Sequence, residues 1–385
     1  MNRSRLTEEL SSSSPLNGEI VVAERYTHPV RGPVDCPAAP LLVAWLRGRG
    51  VPARSGSFDR LSATGNTAAG HAATGHAPTV VAATSYLDPA GQAVGLAVAA
   101  GRDDAEVATA AVRTWSAVLR TRRVILPFPS RPAPTDRPQG AAARPVPATR
   151  REPAVDGRSP AAGCVEPACP RESSTWGAVR AYQGRGDTVL MLGTRRGRDA
   201  ALRTPGGVDA GRCVPVRTLE DAGEELRPEA ERLSFVVRPC APIEEVAPLL
   251  RELRGRFPLL RGQHPDEWCY AASDRRNSLR LAAEASDLVL LLGDPLDLDP
   301  LALGRAERRQ LSTLADLRPL DLAEAGTITL ADGGTDADAD SAVEVTVADL
   351  IGVLGGLGPL SVVRHRVRTE SGLAARDPRA AMEPA

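Results

Sequence analysis

The chain has 385 residues with a formal net charge of −1, enough length for two or three cores and no electrostatic bias toward nucleic acid or an acidic membrane. All 47 basic residues are arginine and they interleave with 48 acidic ones, so arginine content marks a GC-rich genome and not a nucleic-acid surface. Aromatics make up only 3%, which leaves the cores to Leu, Val and Ala.

Residues 1–18 are polar, lack the apolar core of a signal peptide and are expected as a disordered tail. No apolar run reaches the ~20 residues that span a bilayer, so a soluble cytoplasmic protein is expected. Residues 19–126 predict a small N-terminal α/β unit. "EIVVAE" suits a buried strand, "APLLVAWLRGRG" a helix closing on glycine, and 55–78 a loop. "TVVAATSYLD" and "AVGLAVAA" read as strands about the turn Asp88-Pro89-Ala90-Gly91. "DDAEVATAAVRTWSAVLRT" reads as a helix with acids first and arginines last, before strand "RVILPF".

Residues 127–163 are rich in Pro, Arg and Ala without apolar periodicity, the composition of a disordered linker. Strands and helices then alternate. A helix near Ser173–Gln183 precedes strand "TVLMLG", then "CVPV", a helix or turn over 219–232, and strand "LSFVVR". Helix "PIEEVAPLLRELRGRF", helix "NSLRLAAEAS", strand "DLVLLLGD", strand "GTITLAD" and helix "TVADLIGVLGGLG" follow, with 373–385 as a second tail. Such alternation implies parallel sheets with helices on both faces, and functional loops at the carboxyl ends of the strands.

Two segments of this second half are distinctive: Glu166-Pro167-Ala168-Cys169-Pro170 ahead of a helix, and Cys269-Tyr270-Ala271-Ala272-Ser273-Asp274-Arg275 between Phe257-Pro258 and "SDLVLLLGD". Their order and spacing resemble the hydroxymethylbutenyl diphosphate reductase (LytB) family, with its Asp-Ala-Thr-Cys-Pro and Cys-Tyr-Ala-Thr-Thr-Asn-Arg segments. The resemblance covers about residues 164–372. It implies LytB-like repeated α/β lobes with parallel sheets, to which residues 19–126 would be an addition. It also implies a 4Fe–4S cluster held by three cysteines, and a reductive dehydroxylation of the non-mevalonate isoprenoid pathway. That reaction takes a diphosphate substrate and an electron donor of the ferredoxin type.

Carried over position by position, the family's site is incomplete. Cys169 and Cys269 match two cluster cysteines. The family's first cysteine, in an Arg-Gly-Phe-Cys-Ala-Gly loop, has no counterpart where "RVILPF" runs into the linker. Cys36, in a Gly/Pro loop after a strand, is the best substitute third ligand, and Cys164 the next. The family's Gly-His-x-Gly-His-Pro-Glu loop reads Gly193-Thr194-Arg195-Arg196-Gly197-Arg198-Asp199. Asp199 stands for the proton-delivering glutamate, and Arg195 and Arg198 are candidate diphosphate contacts. The Gln-Thr-Thr strand end reads Arg238-Pro239-Cys240, with Cys240 expected as a buried small apolar residue. Where the family binds diphosphate with Ser-Ser-Asn-Ser, this chain has Asp297-Leu298-Asp299-Pro300, two anions in place of neutral donors. In the last loop only Thr335 offers a hydroxyl. A retained scaffold with a degraded site leaves two main readings: an altered LytB-type reductase, or a catalytically inactive paralogue that binds or regulates. A weaker third is a structural zinc or redox-thiol protein using Cys164 and Cys169, whose single C-x4-C lacks a matching pair.

Other signals carry less. "DADADSAVE" lacks the glycine and final glutamate of a calcium loop, and the Arg185-Gly186-Asp187 triplet sits in an expected turn as a chance match. His71 and His76 have no carboxylate or cysteine neighbours, whereas His28 shares the loop region of Cys36. There is no dinucleotide fingerprint, P-loop or nucleophile elbow.

Overall fold

A computed structural model describes residues 5–12, 19–58, 61–63, 79–127, 169, 171–194, 206–221, 232–292, 305–332, 345–367 and 369. It is a mixed α/β protein with one mixed sheet and two all-parallel sheets. The chain divides into two compact units, one of residues 1–128 and 276–366, the other of residues 129–275 and 367–385.

In the first unit a seven-stranded sheet is built from β1 (Leu6–Ser12), β2 (Ile20–His28), β3 (Gly32–Asp35), β4 (Ala53–Phe58), β5 (Leu61–Ala63), β6 (Thr79–Leu87) and β7 (Ala93–Ala100). Their order is β4-β2-β3-β7-β6-β1-β5. Two helices accompany it, α1 (Ala39–Arg47) and α2 (Ala105–Ala117). Two expectations change here. Leu6–Ser12 is a strand and not a tail, because it pairs antiparallel with β6 along its whole length. Residues expected as loop hold β4, parallel to β2, and β5, antiparallel to β1. These short strands alternate small and polar residues, so no apolar run announces them.

The same unit carries a five-stranded parallel sheet of β8 (Arg122–Leu126), β13 (Leu288–Leu292), β14 (Glu307–Leu311), β15 (Thr327–Asp332) and β16 (Leu360–Arg364), in the order β14-β13-β15-β8-β16. Strand β8 was expected to close the N-terminal unit. It instead lies between β15 and β16. One core joins both sheets of this unit through α1 and α2, from Ile20, Leu41, Leu46, Val112 and Trp115 to Val124, Leu290, Ile328 and Leu354. Trp115 is fully buried edge-on to Trp45 at 6.2 Å, a packing worth about 0.5–1.5 kcal/mol beyond area burial.

Arg122 fixes this junction. Its buried guanidinium donates to the carbonyls of Val118 (2.6 Å), Leu322 (3.0 Å) and Leu357 (3.1 Å). Helix ends leave carbonyls without intrahelical partners, and here a single cation serves three such ends. Val118 follows α2, Leu322 lies in the short helix 319–323, and Leu357 follows the helix 347–356. Burial lowers the Arg122 pKa to about 10, so the side chain remains charged at neutral pH. Gly358 is compelled by the same turn, with φ +136° and a Cβ position that would overlap the Arg120 carbonyl oxygen.

The second unit holds the four-stranded parallel sheet β10-β9-β11-β12, from β9 (Thr188–Leu192), β10 (Cys213–Val216), β11 (Leu233–Val237) and β12 (Arg261–Gly262). Helix α3 (Glu172–Gly184) precedes β9 and α4 (Ile243–Arg256) follows β11. Helix α5 (Ala271–Glu284) starts after β12, whereas α6 (Pro319–Ala323) and α7 (Val347–Gly356) belong to the first unit. Helix α4 buries Val246, Leu249, Leu250 and Leu253, the helical spacing expected from the sequence. Strands β9 and β11 present buried residues almost throughout, as parallel strands covered on both faces do. Asp187 of the Arg-Gly-Asp triplet is wholly buried and accepts from Ser234 Oγ at 2.6 Å, so the triplet is structural. Among the described residues, no helix is long and apolar enough to cross a membrane.

Candidate metal centre

Strand β11 lies between β9 and β12, and its carboxyl end opens into the turn Arg238-Pro239-Cys240-Ala241. The turn is pinned by two bonds: Arg238 N–H donates to the Leu192 carbonyl (3.0 Å) and Ala241 N–H to the Arg238 carbonyl (3.1 Å). Cys240 has φ +61°, the only non-glycine residue with positive φ among those described. For an L-residue this conformation costs on the order of 1–3 kcal/mol, and such strain collects at functional sites. Gly193, at the end of β9, has φ +95°, and a Cβ there would sit 2.7 Å from Ala241 Cβ and 2.9 Å from Val246 Cγ2. The two strand ends therefore pack directly on one another.

The other sulfurs arrive at helix starts. Cys169 lies just before α3, with its carbonyl accepting from Glu172 N–H (2.8 Å), and Cys269 lies just before α5. Helix N-termini favour the thiolate, which is the metal-binding form. Cys169 Sγ is 3.7 Å from Cys269 Sγ, and Cys240 Sγ is 3.9 Å from Cys269 Sγ. All three sulfurs lie within 4.8 Å of one another, with Cys169 and Cys269 buried and Cys240 half-buried. None of the described cysteines forms a disulfide.

Neighbouring bonds hold the frame. Ser273, in the Cys-Tyr-Ala-Ala-Ser segment, donates to Glu244 Oε2 (2.6 Å) and accepts from Ile243 N–H (2.8 Å), tying the start of α5 to the start of α4. The buried Gln263 accepts from Val237 N–H at 2.9 Å through Oε1. Burial, then the nearby Asp266 and Asp274, raises the Tyr270 pKa.

Of the site residues expected from the sequence, the structure brings Cys169 and Cys269 together. The third sulfur beside them is Cys240. Cys36, the expected substitute, lies in the first unit among Tyr26, Val34, Val81 and Ala97 in the core of the seven-stranded sheet. Burial first, then Asp35, pushes its thiol pKa far above the ordinary value. His28 is also structural, bonded through Nε2 to Glu8 Oε2 (2.8 Å) while Nδ1 accepts from Val30 N–H and Arg31 N–H. Arg195, Arg198, Asp199, Thr335, Cys164, Asp297 and Asp299 lie outside the described residues, as do His71, His76 and the acidic stretch after 335. Cys240 was missed because its neighbours, Pro239 and Ala241, resemble no ligand motif. The available signal was its place at the end of an internal parallel strand, where ligand sites form.

The fold and site thus define an α/β protein with a three-thiol centre at a strand end. The family described as LytB protein matches residues 152–296. The 4-hydroxy-3-methylbut-2-enyl diphosphate reductase of Bartonella quintana is 30% identical over 131 residues, 34% of this chain and 38% of the relative. Its counterpart in Rhizobium meliloti is 29% identical over 34% of this chain and 37% of the relative. Residues 152–296 of this chain are LytB-like, and the chain spans less than two-fifths of the length of these relatives. The solved Plasmodium falciparum E-1-hydroxy-2-methyl-but-2-enyl-4-diphosphate reductase aligns with TM-score 0.39 and 15% identity, covering 53% of this chain and 65% of that one. Three thiols within reach of one another are the donor set that an iron–sulfur group or another thiophilic metal takes, and Cys169, Cys240 and Cys269 are the residues to hold it.

Proposed function

We propose that this chain is a LytB-like metal–thiolate protein that no longer runs the parent dehydroxylation, with Cys169, Cys240 and Cys269 as the metal ligands. The observation that carries this is the gathering of three sulfurs within 4.8 Å at the carboxyl end of β11, one of them from a position outside the family's pattern. A metal held by three thiolates offers an open coordination position and acts as a Lewis acid on a ligand oxygen. The chain's own residues are poorly suited to the parent substrate. Asp297 and Asp299 stand where neutral donors would meet a diphosphate, and the imidazoles of the proton-delivery loop are replaced by Arg195, Arg196 and Arg198. Asp199 keeps a carboxylate on a shorter arm, and Thr335 a single hydroxyl. A cytoplasmic location is part of the proposal, because a thiol centre suits a reducing compartment.

The second reading, retention of the reductase reaction with a ferredoxin-type donor, is favoured by Cys169 and Cys269 standing at two of the family's three cysteine positions. Purification of the full chain without oxygen, followed by metal analysis and an assay with 4-hydroxy-3-methylbut-2-enyl diphosphate and a strong reductant, separates the two. Bound metal without conversion is the expected result. Turnover to isopentenyl or dimethylallyl diphosphate overturns the loss of activity, and metal-free protein with intact thiols overturns the centre itself.

A further inference from the structure

The spacing of the three sulfurs says how many metal ions they hold. In a four-iron cube each thiolate binds a different corner, which sets the cysteine sulfurs on the order of 6 Å apart. A single tetrahedral ion with metal–sulfur bonds of about 2.3 Å sets its sulfurs about 3.8 Å apart. The observed separations are 3.7 Å and 3.9 Å, with the third within 4.8 Å. They match the single ion. A cube would require the pairs through Cys269 to open by roughly 2 Å, against the direct packing of Gly193 on Ala241 and Val246 and the Ser273 ties between the starts of α4 and α5.

The exchange of ligand fits the same account. The family's missing first cysteine would have followed strand β8 in sequence, and the substitute follows β11, with all three sulfurs belonging to the compact unit of residues 129–275. We infer that Cys169, Cys240 and Cys269 bind one thiophilic divalent cation of the zinc type, in place of a 4Fe–4S cluster. This rests on the metal–thiolate reading above and specifies its cargo. On binding, three S–H bonds give way to three metal–sulfur bonds and three protons leave. Among the described residues the group that could hold a metal consists of these three sulfurs.

Cobalt(II) titration of the full chain, reduced and metal-free under anaerobic conditions, tests this directly. The readout is the visible spectrum of tetrahedral cobalt with sulfur-to-cobalt charge transfer. One equivalent should saturate it, and zinc should displace it stoichiometrically. Iron reconstitution with sulfide should leave no acid-labile sulfide on the protein. Incorporation of four irons and four sulfides per chain overturns the single-ion assignment while preserving the metal centre. No cobalt spectrum and no iron uptake, with three titratable thiols present, overturns both. Cys240→Ser is the control: it should abolish the cobalt spectrum, and an unchanged spectrum removes Cys240 from the ligand set.

Discussion

Cys36 and Cys240 are the same side chain in two opposite settings. Cys36 sits inside the seven-stranded sheet, walled by Tyr26, Val34 and Ala97, with its thiol kept protonated by burial. Cys240 ends a strand of a parallel sheet, half-buried, in a left-handed backbone conformation, with a second sulfur 3.9 Å away. Both follow a strand and both lie near a proline, so local sequence does not separate them. What separates them is the company each side chain keeps. A sulfur surrounded by hydrocarbon is a small apolar group, and a sulfur facing two others has the setting that the proposed ligand role needs.

The largest expected effect tests that contrast. Cys240→Gly should abolish metal binding, a loss of at least about 100-fold in affinity, while fold stability holds or rises, because glycine relieves the positive φ. Cys36→Ala should leave metal content unchanged, and equal metal loss in both variants, read by metal analysis and thermal melting, would collapse the distinction. Next in size, Arg122→Met should strand three helix-end carbonyls and lower stability by about 3–5 kcal/mol, measured by denaturant unfolding. A change below about 1 kcal/mol would show that water replaces the guanidinium. Smallest, Gly193→Ala should cost about 1–3 kcal/mol through its positive φ and its contact with Ala241. If the two strand ends share one packing arrangement, the same variant should weaken metal binding, and a stability loss without it would separate packing from the site.

Much of the architecture is legible in the chain. The apolar runs of β9, β11 and β13 and the amphipathic spacing of α4 identify themselves, since a covered parallel strand reads as continuous hydrophobicity and a packed helix as a stripe. The edge strand β14, Glu-Arg-Arg-Gln-Leu, does not, because a strand paired on one side only tolerates charge. Likewise β1 and β5 gain their stability from pairing and not from their own apolar content.

The site divides in the same way. Cys169 and Cys269 carry recognisable neighbours, Cys-Pro and Cys-Tyr-Ala, so their positions are written locally. Cys240 carries none. Its role follows from the register of β11 against β9, which delivers the strand end to a point where two helix starts also converge. The sequence by itself determined the alternation of strands and helices and two of the three sulfurs, because short-range periodicity and motifs encode both. Only the tertiary structure decided the sheet in which β8 lies, the three helix ends joined by Arg122 and the identity of the third sulfur. Each of these depends on groups far apart in the chain meeting at distances of a few ångströms, and no local pattern specifies that meeting.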